Sequence, residues 1–406
     1  MNLPLDPARL RAHFPAFSEP SLANQAFFQN AGGSYMARQV IDRLVHFYTR
    51  TKVQPGDDYP ASEEAQAAMD DAHVRMARAL NVTPDWIHFG PSTSANTYVL
   101  GHAFAGWLKP GDAIVVTDQD HEANTGNWRR LANRGIEVRE WRIDKDTARL
   151  SLDALDALLD EKVKLIAFPH ASNIVAEIND VSAVAARAKS IGAVTAVDGV
   201  SYAPHGLPDL AALGADIYLF SGYKVYGPHQ GIMAIRPGLA LSLPNQGHTI
   251  NEGRIRKVLT PAGPDHAQVA ASAGIIDYLE AVAEIAGGTG DPYRRAHAAM
   301  RAQEQALLAP LMDYLRGRNT VRIIGPTDPA IRAPTVALHL SEPGAVVAKR
   351  LAKHGIMAAG GSFYSYRLVE DLGIDPHNHG VLRLSFVHYT TPEEVTRLIA
   401  ALDAEL

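Results

Sequence analysis

The sequence predicts an α/β fold: a large domain on a mixed, mostly parallel sheet, followed by a smaller α+β domain. Three observations carry this. Apolar, β-rich runs alternate with helical patterns through the first two thirds of the chain, which is the pattern of parallel βαβ units in a sheet covered on both faces. Ser92, His121, Asn173, Asp198 and Ser221 each follow or end a predicted strand, where such sheets bind ligands. Near residue 266 the character changes to long helices and then to a second set of strands.

In order, Trp86–Phe89 reads as a short strand, and Gly90-Pro91-Ser92-Thr93-Ser94 turns into a helix running to about Trp107. Ala113–Thr117 is an apolar strand after the turn Lys109-Pro110-Gly111-Asp112. Trp128–Arg134 is a helix closed by Gly135, Ile136–Trp141 a strand, Leu152–Leu159 a helix and Val163–Pro169 a strand. Val181–Ser190 is a helix closed by Gly192, and Val194–Asp198 and Ile217–Ser221 are two further strands. Ala267–Ala286 predicts one long alanine-rich helix, ended by Gly287-Gly288-Thr289-Gly290, and Tyr293–Arg316 a second. Val321–Ile324, Thr335–Leu340 and Val381–Phe386 read as strands, with helices over Val346–His354 and Pro392–Leu402. The expected division places residues 21–285 in the large domain, and 1–20 with 286–406 in the small one.

Composition excludes several classes. The chain of 406 residues is 47% hydrophobic, enough for two domains with a sizeable core. A net charge of −6 gives no field favouring nucleic acid or an anionic membrane. Cysteine is absent, so there is no disulfide framework, thiolate metal site, persulfide or cysteine nucleophile. Met1–Asp6 has no basic or apolar leader pattern. No apolar run approaches the roughly 20 residues that span a bilayer. A cytoplasmic protein is expected.

The chemistry-bearing residues are individually ambiguous. Lys224 lies in Ser221-Gly222-Tyr223-Lys224-Val225-Tyr226-Gly227-Pro228-His229-Gln230-Gly231; it is either a solvated turn lysine or an amine poised for covalent chemistry with an aldehyde. Asp198 ends the apolar strand Ala196-Val197-Asp198, where a carboxylate can hold a pyridine nitrogen protonated. Ser92-Thr93-Ser94 opens a helix after a strand, as a simple N-cap or an anion site. His121, in Asp118-Gln119-Asp120-His121-Glu122-Ala123-Asn124, is a loop histidine or a ring that stacks on a planar group or shuttles a proton. No HxH or HExxH spacing accompanies it, so no metal is expected. Asn173 is a turn residue or a donor to a phenolate oxygen. Arg383, inside the apolar strand Val381–Phe386, needs an internal acid or a ligand carboxylate that its planar fork can grip.

Together, order and spacing resemble the class V branch of fold-type I pyridoxal phosphate enzymes, and within it the cysteine-desulfurase-like subgroup. The resemblance runs from about Phe27 to the C-terminus. Phe28-Gln29-Asn30-Ala31-Gly32-Gly33 resembles the opening strand and turn, with Asn30 at the substrate side. The resemblance implies pyridoxal 5′-phosphate as cofactor. Lys224 would be the Schiff-base lysine, His121 the stacking ring, and Asp198 the pyridinium partner. Ser92, Thr93, Ser94 and Ser221 would hold the phosphate, with Tyr223 beside them. Asn173 and Ser201 would lie near the ring oxygen, and Arg383 would hold the substrate carboxylate.

Three features depart from the pattern. No cysteine stands in the loop Gly360-Gly361-Ser362-Phe363-Tyr364 or elsewhere, which excludes persulfide-forming desulfuration. Ser201 replaces the glutamine or histidine often found three residues after the aspartate. Pro261-Ala262-Gly263-Pro264-Asp265 replaces the Gly-Thr step that reaches a neighbouring subunit's phosphate. The resemblance implies a small amino-acid substrate, processed through an external aldimine and quinonoid. β-Elimination by a lyase is the first reading, with transamination or epimerisation as alternatives. A homodimer is implied, and the apolar stretch Ala267–Ala286 is expected to offer a self-complementary face. A binding protein without catalysis is a remote alternative. A nicotinamide enzyme is disfavoured by the lack of a strand-GxGxxG-helix fingerprint.

Overall fold

A computed structural model describes residues 3–406. Its centre is a seven-stranded sheet built from β1 (Ile87–Gly90), β2 (Ala113–Thr117), β3 (Glu137–Trp141), β4 (Val163–Pro169), β5 (Val194–Asp198), β6 (Ile217–Ser221) and β7 (Gly231–Ile235). Their order is β1-β7-β6-β5-β4-β2-β3. Only β7 runs against the rest, pairing antiparallel with both β1 and β6. The carboxyl ends of the other six strands therefore share one edge. The sequence reading did not place β7. It follows the Lys224 turn and begins at Gly231, the last residue of the run read as the lysine motif.

Strand alternation sorts side chains onto two faces. Val115, Val197, Tyr218, Phe220, Ile232 and Ala234 pack on one face; Ile114, Val116, Ala196, Ile217, Leu219, Met233 and Ile235 pack on the other. In β4 the parity flips: Val163 joins the first face and Leu165 the second. The register with β2 skips one residue there, pairing Ala113 with Val163 and Ile114 with Leu165, as an inserted bulge residue requires.

Two helices outside the sequence reading, α1 (Arg38–Arg50) and α2 (Pro60–Ala79), cover one side of the large sheet with residues of the alanine-rich stretch. That stretch is two helices, not one: α3 (His266–Ala271) and α4 (Ala273–Ala286). Ser272 makes the break. Its hydroxyl lies 2.9 Å from the Gln268 carbonyl and 2.8 Å from Gln230 Oε1, sharing its one proton between the two acceptors, and such back-bonding bends helices. The expectation of an exposed dimer face here is corrected. Ala267, Val269, Ala271, Ile275, Ile276, Leu279 and Val282 are all buried inside a single chain.

Beyond α5 (Pro292–Arg316) lies a four-stranded antiparallel sheet. It contains β8 (Arg322–Ile324), β9 (Thr335–His339), β10 (Ala359–Gly361) and β11 (Val381–Ser385), in the order β10-β11-β9-β8. Leu382 and Leu384 of β11 face a core shared with Leu307, Leu311, Leu398 and Leu402. Period two then turns Arg383 to the opposite face. The first segment straddles both lobes. Leu5, Leu10 and Phe14 join the large-sheet core, while Arg11 pairs with Glu394 and donates to the Tyr389 carbonyl at 2.9 Å. No helix among the described residues is long and apolar enough to cross a membrane.

Candidate active site

A cavity of about 280 Å³ opens at the shared carboxyl edge of the large sheet. Ser92, Thr93, Ser94, His121, Asn173, Asp198, Ser201, Ser221, Tyr223 and Lys224 all line it. Residues up to 132 positions apart in sequence meet because each sits just after, or at the end of, a strand.

At one end, the helix Thr93–Trp107 begins with Ser92 as its cap, the serine hydroxyl accepting from the Ala95 amide at 3.1 Å. The amides of Thr93 and Ser94 lie in the first turn, where no intrahelical carbonyl is available to them. The Thr93 and Ser221 hydroxyls hydrogen-bond at 2.8 Å. Helix start and strand β7 can approach this closely only because residue 231 is glycine. A Cβ there would meet the Ser92 carbonyl carbon at 2.3 Å and the Thr93 nitrogen at 2.6 Å.

Asp198 ends β5 and is buried. Its Oδ1 accepts from the Val200 amide at 2.8 Å; no protein donor meets the other oxygen among the described residues. Burial pushes its carboxyl up to about 6, opposed by the Val200 amide and the Lys224 charge. Lys224 follows β6 in the tight turn Gly222–Lys224. That turn is fixed by the Gly222 amide donating to Gln230 at 2.7 Å and by the Ser34 hydroxyl donating to the Lys224 carbonyl at 2.8 Å. The amine is buried and has no hydrogen-bond partner among the described residues. Burial first, and the Arg383 charge second, push it down to about 8, against the pull of Asp198.

His121 caps a short turn, its Nδ1 accepting from the Ala123 amide at 3.1 Å, which leaves the proton of the neutral ring on Nε2. Burial and the Lys224 and Arg383 charges push it down to about 3, so the imidazole is neutral. Tyr223 stacks on His229, with centroids 4.8 Å apart and planes 6° apart. Burial raises its phenol.

Arg383 is buried, and no carboxylate lies within ion-pair range of it among the described residues, so the internal-acid reading does not hold. Nη1 donates to the Asn173 carbonyl at 3.3 Å, Nε has no partner, and the Phe363 ring lies 3.7 Å from the guanidinium carbon. Burial pushes the guanidinium down to about 9.

Two expected residues are engaged differently from the sequence reading. The Asn173 amide donates to the Phe363 carbonyl at 2.9 Å, and its Oδ1 accepts from the Ser365 hydroxyl at 2.8 Å. It lines the cavity but is tied to the loop Ser362–Ser365. Asn30 sits behind Lys224. It donates to the Phe27 carbonyl at 3.2 Å and accepts from the Tyr389 hydroxyl, which occupies its polar groups at the seam between lobes. Asp265, where the expected cross-subunit step is missing, is a helix cap that accepts from the Gln268 amide at 3.1 Å.

Sequence reasoning missed His229 and Phe363. The first lay inside the lysine motif and was open to notice. The second reaches Arg383 only through the pairing of β10 with β11.

Against known proteins, the family model described as aminotransferase class-V matches residues 26–398. The chain belongs to the class-V aminotransferase family. It is 33% identical to the aminotransferase-like protein FGM3 of Gibberella zeae, with 98% of each chain covered. It is 28% identical to a cysteine desulfurase of Pectobacterium carotovorum, covering 99% of this chain and 98% of that one. The apo structure of cysteine desulfurase from Thermococcus onnurineus superposes with a TM-score of 0.86 at 22% identity, over 100% of this chain and 98% of that one. The fold is thus that of fold-type I pyridoxal phosphate enzymes, and the family is one of enzymes that use pyridoxal 5′-phosphate.

Proposed function

We propose that this enzyme holds pyridoxal 5′-phosphate on Lys224 and cleaves a bond at the β-carbon of a small α-amino acid, as a lyase working by β-elimination. The observation that carries the reading is the buried, unpartnered Lys224 amine, lowered to about 8, in one cavity with Asp198. A desolvated lysine is the amine type that bonds an aldehyde.

The residues present fit the group. Thr93, Ser94 and Ser221 supply hydroxyls and first-turn amides suited to a phosphate. The free oxygen of Asp198 suits a protonated ring nitrogen, and neutral His121 suits a ring face. When bound, the cofactor supplies the electron sink that lets an α-carbon lose its proton. Arg383 grips the substrate carboxylate, and the freed Lys224 amine takes the α-proton and holds it for the leaving group. Net β-elimination turns the amino acid and water into a 2-oxo acid, ammonia and the protonated β-substituent. With no cysteine in the chain, a sulfur leaving group departs without a persulfide on the protein.

Transamination is the second reading, favoured by the 33% identity to a protein named aminotransferase-like. Purified holoprotein, screened with small amino acids alone, tests the first reading by release of ammonia and 2-oxo acid. Amino-group transfer only when a 2-oxo acid acceptor is added would favour the second. A visible absorbance band that borohydride fails to fix on Lys224 would remove both.

A second copy of this chain is the proposed partner. An open groove of about 600 Å³ beside the Ser92–Ser94 helix start is lined by Tyr98, Val99 and Pro261, and Ile250 is 76% exposed. Light scattering at micromolar concentration is expected to give twice the chain mass; a monomer would remove the claim.

A further inference from the structure

The loop Ser362–Ser365 holds two consecutive non-glycine residues in the left-handed region, Phe363 at φ 50° and Tyr364 at φ 60°. Such a conformation persists only where its surroundings impose it. Four bonds do so here. The Ser365 amide donates to the Ser362 carbonyl at 2.9 Å, and the Glu122 amide to the Tyr364 carbonyl at 2.8 Å. Asn173 accepts from the Ser365 hydroxyl and donates to the Phe363 carbonyl.

The product of this arrangement is the placement of one ring. Phe363 is half-buried against the apolar cluster that includes Ile174, Val175, Leu368 and Val369, and its centroid lies 3.7 Å from the Arg383 guanidinium carbon. Among the described residues Arg383 has no acid to orient it. Its one hydrogen bond among the described residues runs from Nη1 to the Asn173 carbonyl; Nε is unbonded but sealed from solvent, which leaves the Nη2 donors to meet a carboxylate through charge-assisted bonds. A guanidinium with only one hydrogen bond can swivel about it. A ring on its face removes that freedom and favours the cation as it loses water. Asn173 anchors both the ring's backbone and the guanidinium.

We propose that Phe363 is the positioning residue for Arg383. It fixes the plane of the guanidinium so that an α-carboxylate docks on Nη2, and Asn173 acts as the clamp that holds ring and guanidinium in register. This rests on the reading of Arg383 as the carboxylate site.

The test compares Phe363→Leu with Phe363→Tyr. For the wild-type holoenzyme's best substrate, Phe363→Leu is expected to raise KM about 10-fold, with kcat and the bound cofactor's absorbance kept. Phe363→Tyr, which keeps a ring over the guanidinium, is expected to restore KM to within about twofold of wild type. Calorimetry with propionate, on the protein as purified, gives a readout independent of turnover. Its Kd is expected to rise about 10-fold in Phe363→Leu and to be undetectable in Arg383→Met. Unchanged KM and propionate Kd in Phe363→Leu, with binding lost in Arg383→Met, would overturn the positioning role and leave the carboxylate site standing. Propionate binding that survives Arg383→Met would overturn the site itself, and the proposal with it. Equal loss of kcat and absorbance in Leu and Tyr variants would show Phe363 to be a packing residue only.

Discussion

Two buried polar clusters lie within one molecule, and they treat their polar groups in opposite ways. At the seam between the lobes, His388 is fully buried, with Nδ1 3.3 Å from the Tyr226 hydroxyl and Nε2 2.5 Å from the Tyr278 hydroxyl. His205 meets Glu304 at 3.0 Å, and Gln303 bridges the His388 carbonyl at 2.9 Å and the Leu5 amide at 3.0 Å. Nearby, His170 stacks on Tyr202 at 3.5 Å and meets the Tyr218 hydroxyl at 2.8 Å. In the cavity the Lys224 amine and one Asp198 oxygen have no protein partner among the described residues, and beyond its lining neither do Nε and Nη2 of Arg383. Buried polar groups are costly unless bonded. The seam answers that cost internally save at one Glu304 oxygen, which has only an ion pair with Arg301 at 3.8 Å, whereas the cavity leaves it for a ligand to answer.

The largest effect that would test this contrast comes from Lys224→Ala. Turnover is expected to fall at least about 1000-fold, because the variant loses both the aldehyde-bonding amine and the proton acceptor. The denaturant midpoint should hold or rise, since a buried amine without a partner does not stabilise the fold. A variant that keeps a tenth of the wild-type rate, or loses several kcal/mol of stability, would put Lys224 in the structural class. Arg383→Lys comes next. A point charge replaces a planar fork, and loss of a charge-assisted pair of about 2 kcal/mol raises the amino-acid KM roughly 30-fold while cofactor affinity holds. Equal KM for every active substrate would make Arg383 structural.

His388→Phe tests the other side. Tyr278 would lose a partner for its buried hydroxyl, whereas Tyr226 keeps its bond to the Pro204 carbonyl. A destabilisation of about 1–3 kcal/mol is expected, with kcat per folded molecule within about threefold of wild type. A stable variant with lost turnover would join the seam to the chemistry.

The same contrast explains what could be read in advance. Asp198, Ser221 and His121 were legible because strand alternation in a parallel sheet sends their ends to one edge, whatever the details of packing. Arg383 was legible as a charge inside an apolar strand. Whether an acid of the chain paired with it was not, because that depends on contacts from residues 173 and 363. Ala267–Ala286 was legible as apolar and helical, but apolarity does not say which neighbour covers it; α1 and α2 do so within the chain. Asn173 was read as a cavity donor, and its bonds to the loop Ser362–Ser365 arise from a tertiary approach across 190 and 192 positions of sequence. The Ser272 break depends likewise on the distant partner Gln230.

The smallest expected effect bears on the cavity's electrostatics. The neutral form of Lys224 is the reactive one. With its amine lowered from the ordinary 10.5 to about 8, about half the molecules are neutral at pH 8, against fewer than about one in a hundred for an ordinary lysine. In cofactor-free protein, the rate at which an acylating reagent modifies Lys224, followed by mass spectrometry, should therefore rise with pH to a midpoint near 8. Two charges act on the amine in opposite directions. Arg383 lowers it and Asp198 raises it, both after burial, which is the largest cause. Removing the cation in Arg383→Met should move the midpoint up, and removing the anion in Asp198→Asn should move it down, each by about one pH unit or less. A wild-type midpoint at 10.5 would mean that the amine is solvated. Both variants moving the midpoint the same way would mean that the cavity relaxes around any substitution, so that its unpaired groups are not held apart by the fold.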